Sequence, residues 1–335
     1  MSRTPQDRRG PGSDPQASPP STPAGKPVAP AAGPNDPGPP PLSPRSWPGW
    51  LGIGCAWLLA RLPWSLQRAL GRAVGTLIRV ALPARRKVAE RNLELCFPEL
   101  DERRRQALLR ESFAQLGIGL FEFARAWWGE VDPMRHGLRV EGLEHLEAAR
   151  AGGRGVIVVS GHFTTLEIAA RLMCDYAPLA GMYRPHDQGP MEWAVKRGRL
   201  RYAQAMFGRD ELRPALRHLK QGGLLWFAPD QDTRRGDSVF VPFFGRPAYS
   251  LTSTHQLARL SGATVLAFAH ERRDDGGYTL RLSPPFANFP SPDATADTAQ
   301  VMAAIEAMVR VVPEQYLWIH RRFKRQPDGR GALYR

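Results

Sequence analysis

Residues 155–171 read GVIVVSGHFTTLEIAAR. Val156, Ile157, Val158 and Val159 form an unbroken β-branched run, the pattern of a strand covered on both faces. Ser160 and Gly161 interrupt it, and residues 163–172 then carry apolar side chains at helical spacing. His162 falls at the junction, and Glu167 follows five residues later. Five helical residues turn through about 140°, so the two share no face if both are helical. They meet if His162 lies on the loop or first turn and Glu167 points back towards it. A carboxylate that holds an imidazole fixes its tautomer and stabilises its cation, which makes the pair a general base. A hydrogen-bonded structural His or a helix cap has the same local pattern. Position favours the base, because open α/β sheets bind ligands at the carboxyl ends of their strands. Zinc is not indicated: there is no His-Glu-x-x-His and no second His one turn away. No metal or other cofactor is expected.

Downstream, residues 179–183 form a second short strand that Arg184 and Pro185 end. Residues 188–207 read as a helix with Lys196, Arg197, Arg199 and Arg201 towards its end. Residues 210–222 make another helix, closed by Gly222 and Gly223. The apolar strand LLWFA, residues 224–228, runs into PDQD, which places Asp230 and Asp232 at a strand's carboxyl end. Turn or cap chemistry is the alternative for these acids. The segment SVFVPFFG, residues 238–245, is broken by Pro242 and reads as a loop lining an apolar cavity. A helix at 251–260 and strands at 263–270 and 278–283, joined by a turn, predict a hairpin. A helix at 298–311 and the basic segment PEQYLWIHRRFK close the chain.

Upstream, residues 1–46 hold almost half of the 32 prolines and are expected to be disordered. Residues 47–66, WPGWLGIGCAWLLARLPWSL, are apolar and Trp-rich. Crossing a bilayer takes about 20 apolar residues, a length reached only if Arg61 snorkels at one end. The run is expected to be a membrane helix, either spanning once or lying in the interface, with a buried core helix as the alternative. Residues 67–92 are amphipathic and basic, consistent with attachment on the cytoplasmic side. Residues 102–128 form a long helix, and residues 140–149 a short strand and helix. The predicted domains are therefore a tail at 1–46, membrane-anchoring helices at 47–92, an α/β domain at 93–325 and a flexible end at 326–335.

The chain has 335 residues and a net charge of +14, which implies an anionic partner: nucleic acid, anionic lipid or an acidic protein. The 3 cysteines are odd in number and widely spaced, so they form neither a disulfide framework nor a metal site. The alternation of strands and helices predicts an α/β fold: a mainly parallel central sheet flanked by helices, with an antiparallel hairpin edge, preceded by the N-terminal membrane helix. Glycine-rich dinucleotide and P-loop fingerprints are missing, as is a GxSxG elbow. A His base acting on a substrate hydroxyl remains.

From about Trp50 to Phe323 the chain resembles the late acyltransferases of lipid A biosynthesis, the Kdo2-lipid IVA lauroyltransferase type within the lysophospholipid-acyltransferase-like superfamily. The stretches that carry the resemblance are WLGIG, RNLELCFPEL, SGHFTTLEI, MYRP, Gly198-Arg199, FAPDQD, SVFVPFFG and PEQYLWIHRRFK, in that order. The resemblance implies transfer of an acyl group from acyl carrier protein to a hydroxyl of a primary acyl chain of Kdo2-lipid IVA, at the cytoplasmic side of the inner membrane. By that resemblance His162 is the base and Glu167 its partner, and Arg199 and Asp230 bind substrate. Arg184 and Asp232 are further substrate-binding candidates. Lipid phosphates and an acidic carrier account for the positive charge. Inner-membrane lipids are expected partners; nucleic acid is not, since the basic residues form no single stripe. The competing readings are an acyltransferase for a glycerophospholipid or inositol-mannoside lipid, and a non-catalytic binder of anionic membranes.

Overall fold

The computed structural model describes residues 37–187, 189–232, 236–329 and 333–334. Most of the segment expected to be disordered lies outside them. The chain opens with helices α1 (Trp47–Leu59), α2 (Trp64–Ala81), α3 (Pro83–Cys96), α4 (Glu102–Trp128) and α5 (Asp132–Arg135). Then come β1 (Leu138–Glu141), α6 (Leu143–Ala151), β2 (Val156–Val159), α7 (Leu166–Met173), β3 (Leu179–Tyr183), α8 (Gly189–Arg199), β4 (Ala205–Gly208), α9 (Leu212–Lys220) and β5 (Leu224–Phe227). The last elements are β6 (Ser238–Phe243), β7 (Arg246–Leu251), α10 (Ser253–Ser261), β8 (Thr264–Arg272), β9 (Tyr278–Pro285) and α11 (Ala294–Val311).

Seven strands form one sheet in the order β1-β9-β8-β2-β5-β3-β4. Strand β2 lies at its middle, parallel to both β5 and β8. All four of its residues are buried, because alternate side chains enter two separate cores. Ile157 and Val159 pack with α3, α9, α10 and α11, while Val156 and Val158 pack with α6, α7 and the end of α4. A strand buried on both faces carries no polar alternation, which is why the run is unbroken. The antiparallel pair β8–β9 is present at the expected side of the sheet. Strand β1 adds outside it, parallel to β9, so the hairpin lies one strand in from the rim.

Three sequence expectations are corrected. Residues 205–208 are not the end of a helix but the edge strand β4, paired in parallel with β3. SVFVPFFG is not a loop: β6 pairs with β7 in a separate antiparallel ribbon, with Pro242 opposite Pro247. In a two-stranded ribbon each strand has a free edge, so a proline there forfeits no ladder bond. Finally, no described helix is long and apolar enough to cross a membrane. Helix α1 has 13 residues, about 20 Å of helix against a hydrocarbon core of about 30 Å. The chain turns at residues 60–63, and α2 then lies along α4 at very close range. A Cβ on Gly75 would meet Phe113 O at 1.9 Å, and one on Gly117 would meet Gly71 O at 2.0 Å.

Candidate active site

The register of the sheet builds the site. Val159 of β2 is level with Phe227 of β5. His162 lies three residues beyond the first and Asp230 three beyond the second, so two parallel strands deliver them side by side. The Asp230 carboxylate accepts from His162 Nδ1 at 2.5 Å and from the His162 backbone N–H at 2.9 Å. The Tyr316 hydroxyl donates to its second oxygen at 2.8 Å. Since a carboxylate only accepts, Nδ1 carries the proton and Nε2 is left as the basic nitrogen. Burial opposes charge on the ring, but the Asp230 charge and hydrogen bond outweigh it, so the imidazole pKa lies above its ordinary 6.5. Burial likewise opposes the charge on Asp230, yet His162 and the hydrogen bonds from its ring, its backbone and Tyr316 hold that carboxyl well below the usual range.

The C-terminal segment pins this loop. Thr164 N–H donates to Gln315 O at 2.8 Å, and Leu317 N–H donates to His162 O at 2.9 Å. Phe163 and Tyr316 form an antiparallel bridge. Behind them His270 takes hydrogen bonds from the Ser160 side at 3.0 Å and the Thr165 side at 2.8 Å. Burial pushes its pKa down to about 3, so it is a neutral structural ring.

Glu167 does not partner His162. It sits in the first turn of α7 and is 1% exposed. Its oxygens accept from Trp127 Nε1 at 2.8 Å, Arg199 Nε at 2.9 Å and the Tyr202 hydroxyl at 3.2 Å, with Arg199 Nη2 closing the pair. His162 lies on the loop before α7, where Asp230 from the end of β5 takes both its ring and its backbone N–H, while α7 aims Glu167 at Trp127 of α4 and Arg199 of α8. Burial opposes the Arg199 charge, but Glu167 outweighs it and keeps the guanidinium cationic. Asp232 is also turned away, towards the backbone N–H of Arg325 at 3.0 Å. Arg184 is exposed and pairs with Asp187 at 3.1 Å. Val239–Phe244 line no channel at the site. Val241, Phe243 and Phe244 are core residues packed around Phe97, Trp318 and Phe323.

A cavity of about 800 Å³ opens at these strand ends. His162, Glu167, Arg199 and Arg184 line it together with Leu120, Phe123, Gly181, Met206 and Trp226. Asp230 lies behind His162 and holds it, so the imidazole alone of the pair meets the cavity. The walls are mainly apolar, as expected of a site for a long hydrocarbon. Tyr316, Trp127 and Tyr202 were not legible as site residues: they come from the chain end, from α4 and from the turn after α8, each far from His162 in sequence.

A family description, bacterial lipid A biosynthesis acyltransferase, matches residues 39–325. The chain is 41% identical over 295 residues to the lipid A biosynthesis palmitoleoyltransferase of Escherichia coli K12, covering 88% of this chain and 96% of that one. The lauroyltransferase of the same strain is 39% identical with the same coverage, and its myristoyltransferase 27% identical over 299 residues, 87% of this chain and 91% of that one. A solved 1-acyl-sn-glycerophosphate acyltransferase from Thermotoga maritima aligns at TM-score 0.35 and 18% identity, over 74% of this chain and 97% of that one, too low a score to bear on the site. The residues from Trp50 to Phe323 that carried the resemblance fall within the matched span, and the chain is an acyltransferase of the bacterial lipid A biosynthesis family.

Proposed function

We propose that the protein transfers a fatty acyl group from acyl carrier protein to a hydroxyl on a primary acyl chain of Kdo2-lipid IVA, at the cytoplasmic face of the inner membrane, with His162 as general base. The observation that carries this reading is the His162–Asp230 pair, 2.5 Å apart, with its ring set against a large apolar cavity. An alcohol is a weak nucleophile near neutral pH. Nε2 of His162 takes its proton as the oxygen attacks the thioester carbonyl, and the imidazolium then protonates the departing thiolate. Asp230 stabilises the ring cation through that cycle, and Tyr316 fixes the carboxylate. Glu167, in place of pairing with the base, holds Arg199 at the cavity wall, where the guanidinium faces an anionic group of the acceptor. Arg184 is a second such contact at the exposed rim.

The N-terminal helices are read as the membrane contact, now interfacial. Trp47, Leu51, Trp57 and Leu58 of α1 and Leu77 and Val80 of α2 are exposed, and Arg61 lies 3.3 Å over the Trp57 ring. Exposed apolar side chains of this density beside arginines suit the headgroup boundary of an anionic bilayer.

The test is acyl transfer from acyl carrier protein to Kdo2-lipid IVA, followed by mass spectrometry of the product. His162→Ala is expected to lose roughly 10²–10⁴-fold in kcat, the usual worth of general-base help. Wild-type transfer to a glycerophosphate acceptor alone, or an undiminished His162→Ala enzyme, would overturn the proposal.

A further inference from the structure

The positive charge has a second concentration apart from that of the N-terminal helices, on the helix that follows β4. Helix α9 reads LRPALRHLK and contains no acid. Arg217 and Lys220 lie four and seven residues after Arg213, so the three fall within about 60° of one another around a helix. All three are exposed, and none of their side chains forms a hydrogen bond or ion pair among the described residues. The opposite face is anchored in the core through Ala215 and Leu219. Of the two acids just before the helix, Glu211 is turned back to accept from Gly208 N–H at 2.7 Å, and Asp210 pairs with Arg209 at 3.9 Å, so neither faces the three.

This stripe starts at the mouth of the cavity. Leu212, Arg209 and Arg184 line the mouth, and Arg209 N–H donates to Tyr183 O at 2.8 Å, which seats the two arginines at the ends of neighbouring strands. Like charges held on one face repel each other, so the face is served by a partner that supplies the missing negative charge. A bilayer is a poor partner here, because interfacial helices expose an apolar face. Helix α9 buries its apolar face and exposes a single large apolar side chain, Leu212. An acidic protein surface fits better, and a thioester delivered at that point has the cavity mouth beside it.

We infer that Arg213, Arg217 and Lys220, with Arg209 at the rim, form the docking surface for the acidic carrier protein that brings the acyl thioester. This rests on the acyl-transfer reading above. It divides the two substrates by side: the lipid acceptor reaches the cavity from the α1–α2 face, and the carrier docks on α9.

The experiment titrates the full-length protein with carrier protein and measures both its Kd and the KM for the acyl-loaded form. The variant is Arg213→Glu with Arg217→Glu and Lys220→Glu. The comparison variant makes the same change of charge away from α9, on α2 and α3: Arg79→Glu with Arg85→Glu and Lys87→Glu. Expected is a Kd and KM raised ten-fold or more by the α9 changes and less than two-fold by the others. Wild-type affinity should fall as salt is raised, and the α9 variant should show little of that dependence. A Kd within two-fold of wild type for the α9 variant, or equal weakening by both sets, overturns the docking surface. If wild type accepts acyl groups from the carrier while the α9 variant binds it normally, only the docking surface falls. If wild type neither binds nor uses the carrier, the donor assignment falls and takes the surface with it.

Discussion

The imidazole at position 162 stands between two carboxylates, one close in sequence and one close in space. Asp230 is 68 residues away and forms the pair, whereas Glu167 is five residues away and serves Arg199. The two acids therefore have separable effects on pH dependence. With Asp230 in place the imidazole pKa is above 6.5, so the acid limb of kcat/KM lies above that value, and the rate falls as pH drops through it because the base is then protonated. In Asp230→Asn the raising charge is lost and burial alone acts on the ring, so the limb moves below 6.5. The rate on the plateau falls towards the roughly 10²–10⁴-fold that general-base help is worth. Glu167→Gln should leave the limb where it is. It should instead raise the KM for the lipid acceptor and lower stability, since Arg199 is left buried without its counter-charge. Initial rates from pH 5 to 9 on the three proteins decide it: a limb that moves with Glu167 and not with Asp230 would reverse the assignment. His162 itself was legible from its place after a β-branched run. Its true partner was not, because only the parallel pairing of β2 with β5 makes residues 162 and 230 neighbours.

At the scale of elements, local pattern was sufficient wherever one signal acted alone. The strand at 156–159, the strand at 179–183 and the helix at 102–128 have the bounds that their periodicity predicts, and Asp101 caps the last of these through Arg104 N–H at 2.7 Å. The pattern failed where signals overlapped. AMFG of β4 has no β-branched residue and lies a short turn after a basic helix, so its apolar character merged with that helix. VFVPF of β6 carried a proline that a central strand would refuse and a two-stranded ribbon accepts. Glycine had a role that no periodicity shows. Gly71, Gly75 and Gly117 let α2 and α4 meet backbone to backbone. Gly75→Ala is thus expected to lower stability even though alanine favours a helix by about 1 kcal/mol, because the added methyl meets Phe113 O and the helices must separate. Overpacking of this kind costs roughly 1–3 kcal/mol. Gly54→Ala in α1, with nothing within 4 Å of its Cβ, should be neutral or slightly stabilising. Thermal unfolding midpoints of the two variants measure the contrast, and a Gly75→Ala protein as stable as wild type would refute the close approach.

For the whole molecule, a net charge of +14 is spread over two differently clad faces. The α1–α2 face combines exposed Trp47, Leu51, Trp57, Leu58 and Leu77 with arginines, whereas the α9 face is cationic with little apolar surface. With α1 only 13 residues long, attachment is read as partial burial in one leaflet, and two consequences separate this from spanning. Alkaline carbonate should release the protein from membranes, since no described helix is long and apolar enough to span the hydrocarbon, whereas a spanning helix would remain in the pellet. Trp57→Ser with Leu58→Ser should weaken binding to phosphatidylglycerol-containing vesicles by at least ten-fold, because complete burial of a large apolar side chain is worth about 1.5–3 kcal/mol and two are only partly immersed. Raising salt should weaken binding of the wild type and of this variant in the same proportion, because the arginines are unchanged. Co-sedimentation with vesicles measures both. A double variant that binds as wild type does would remove α1 from the contact and leave the charge of α2 and α3 to hold the enzyme at its acceptor.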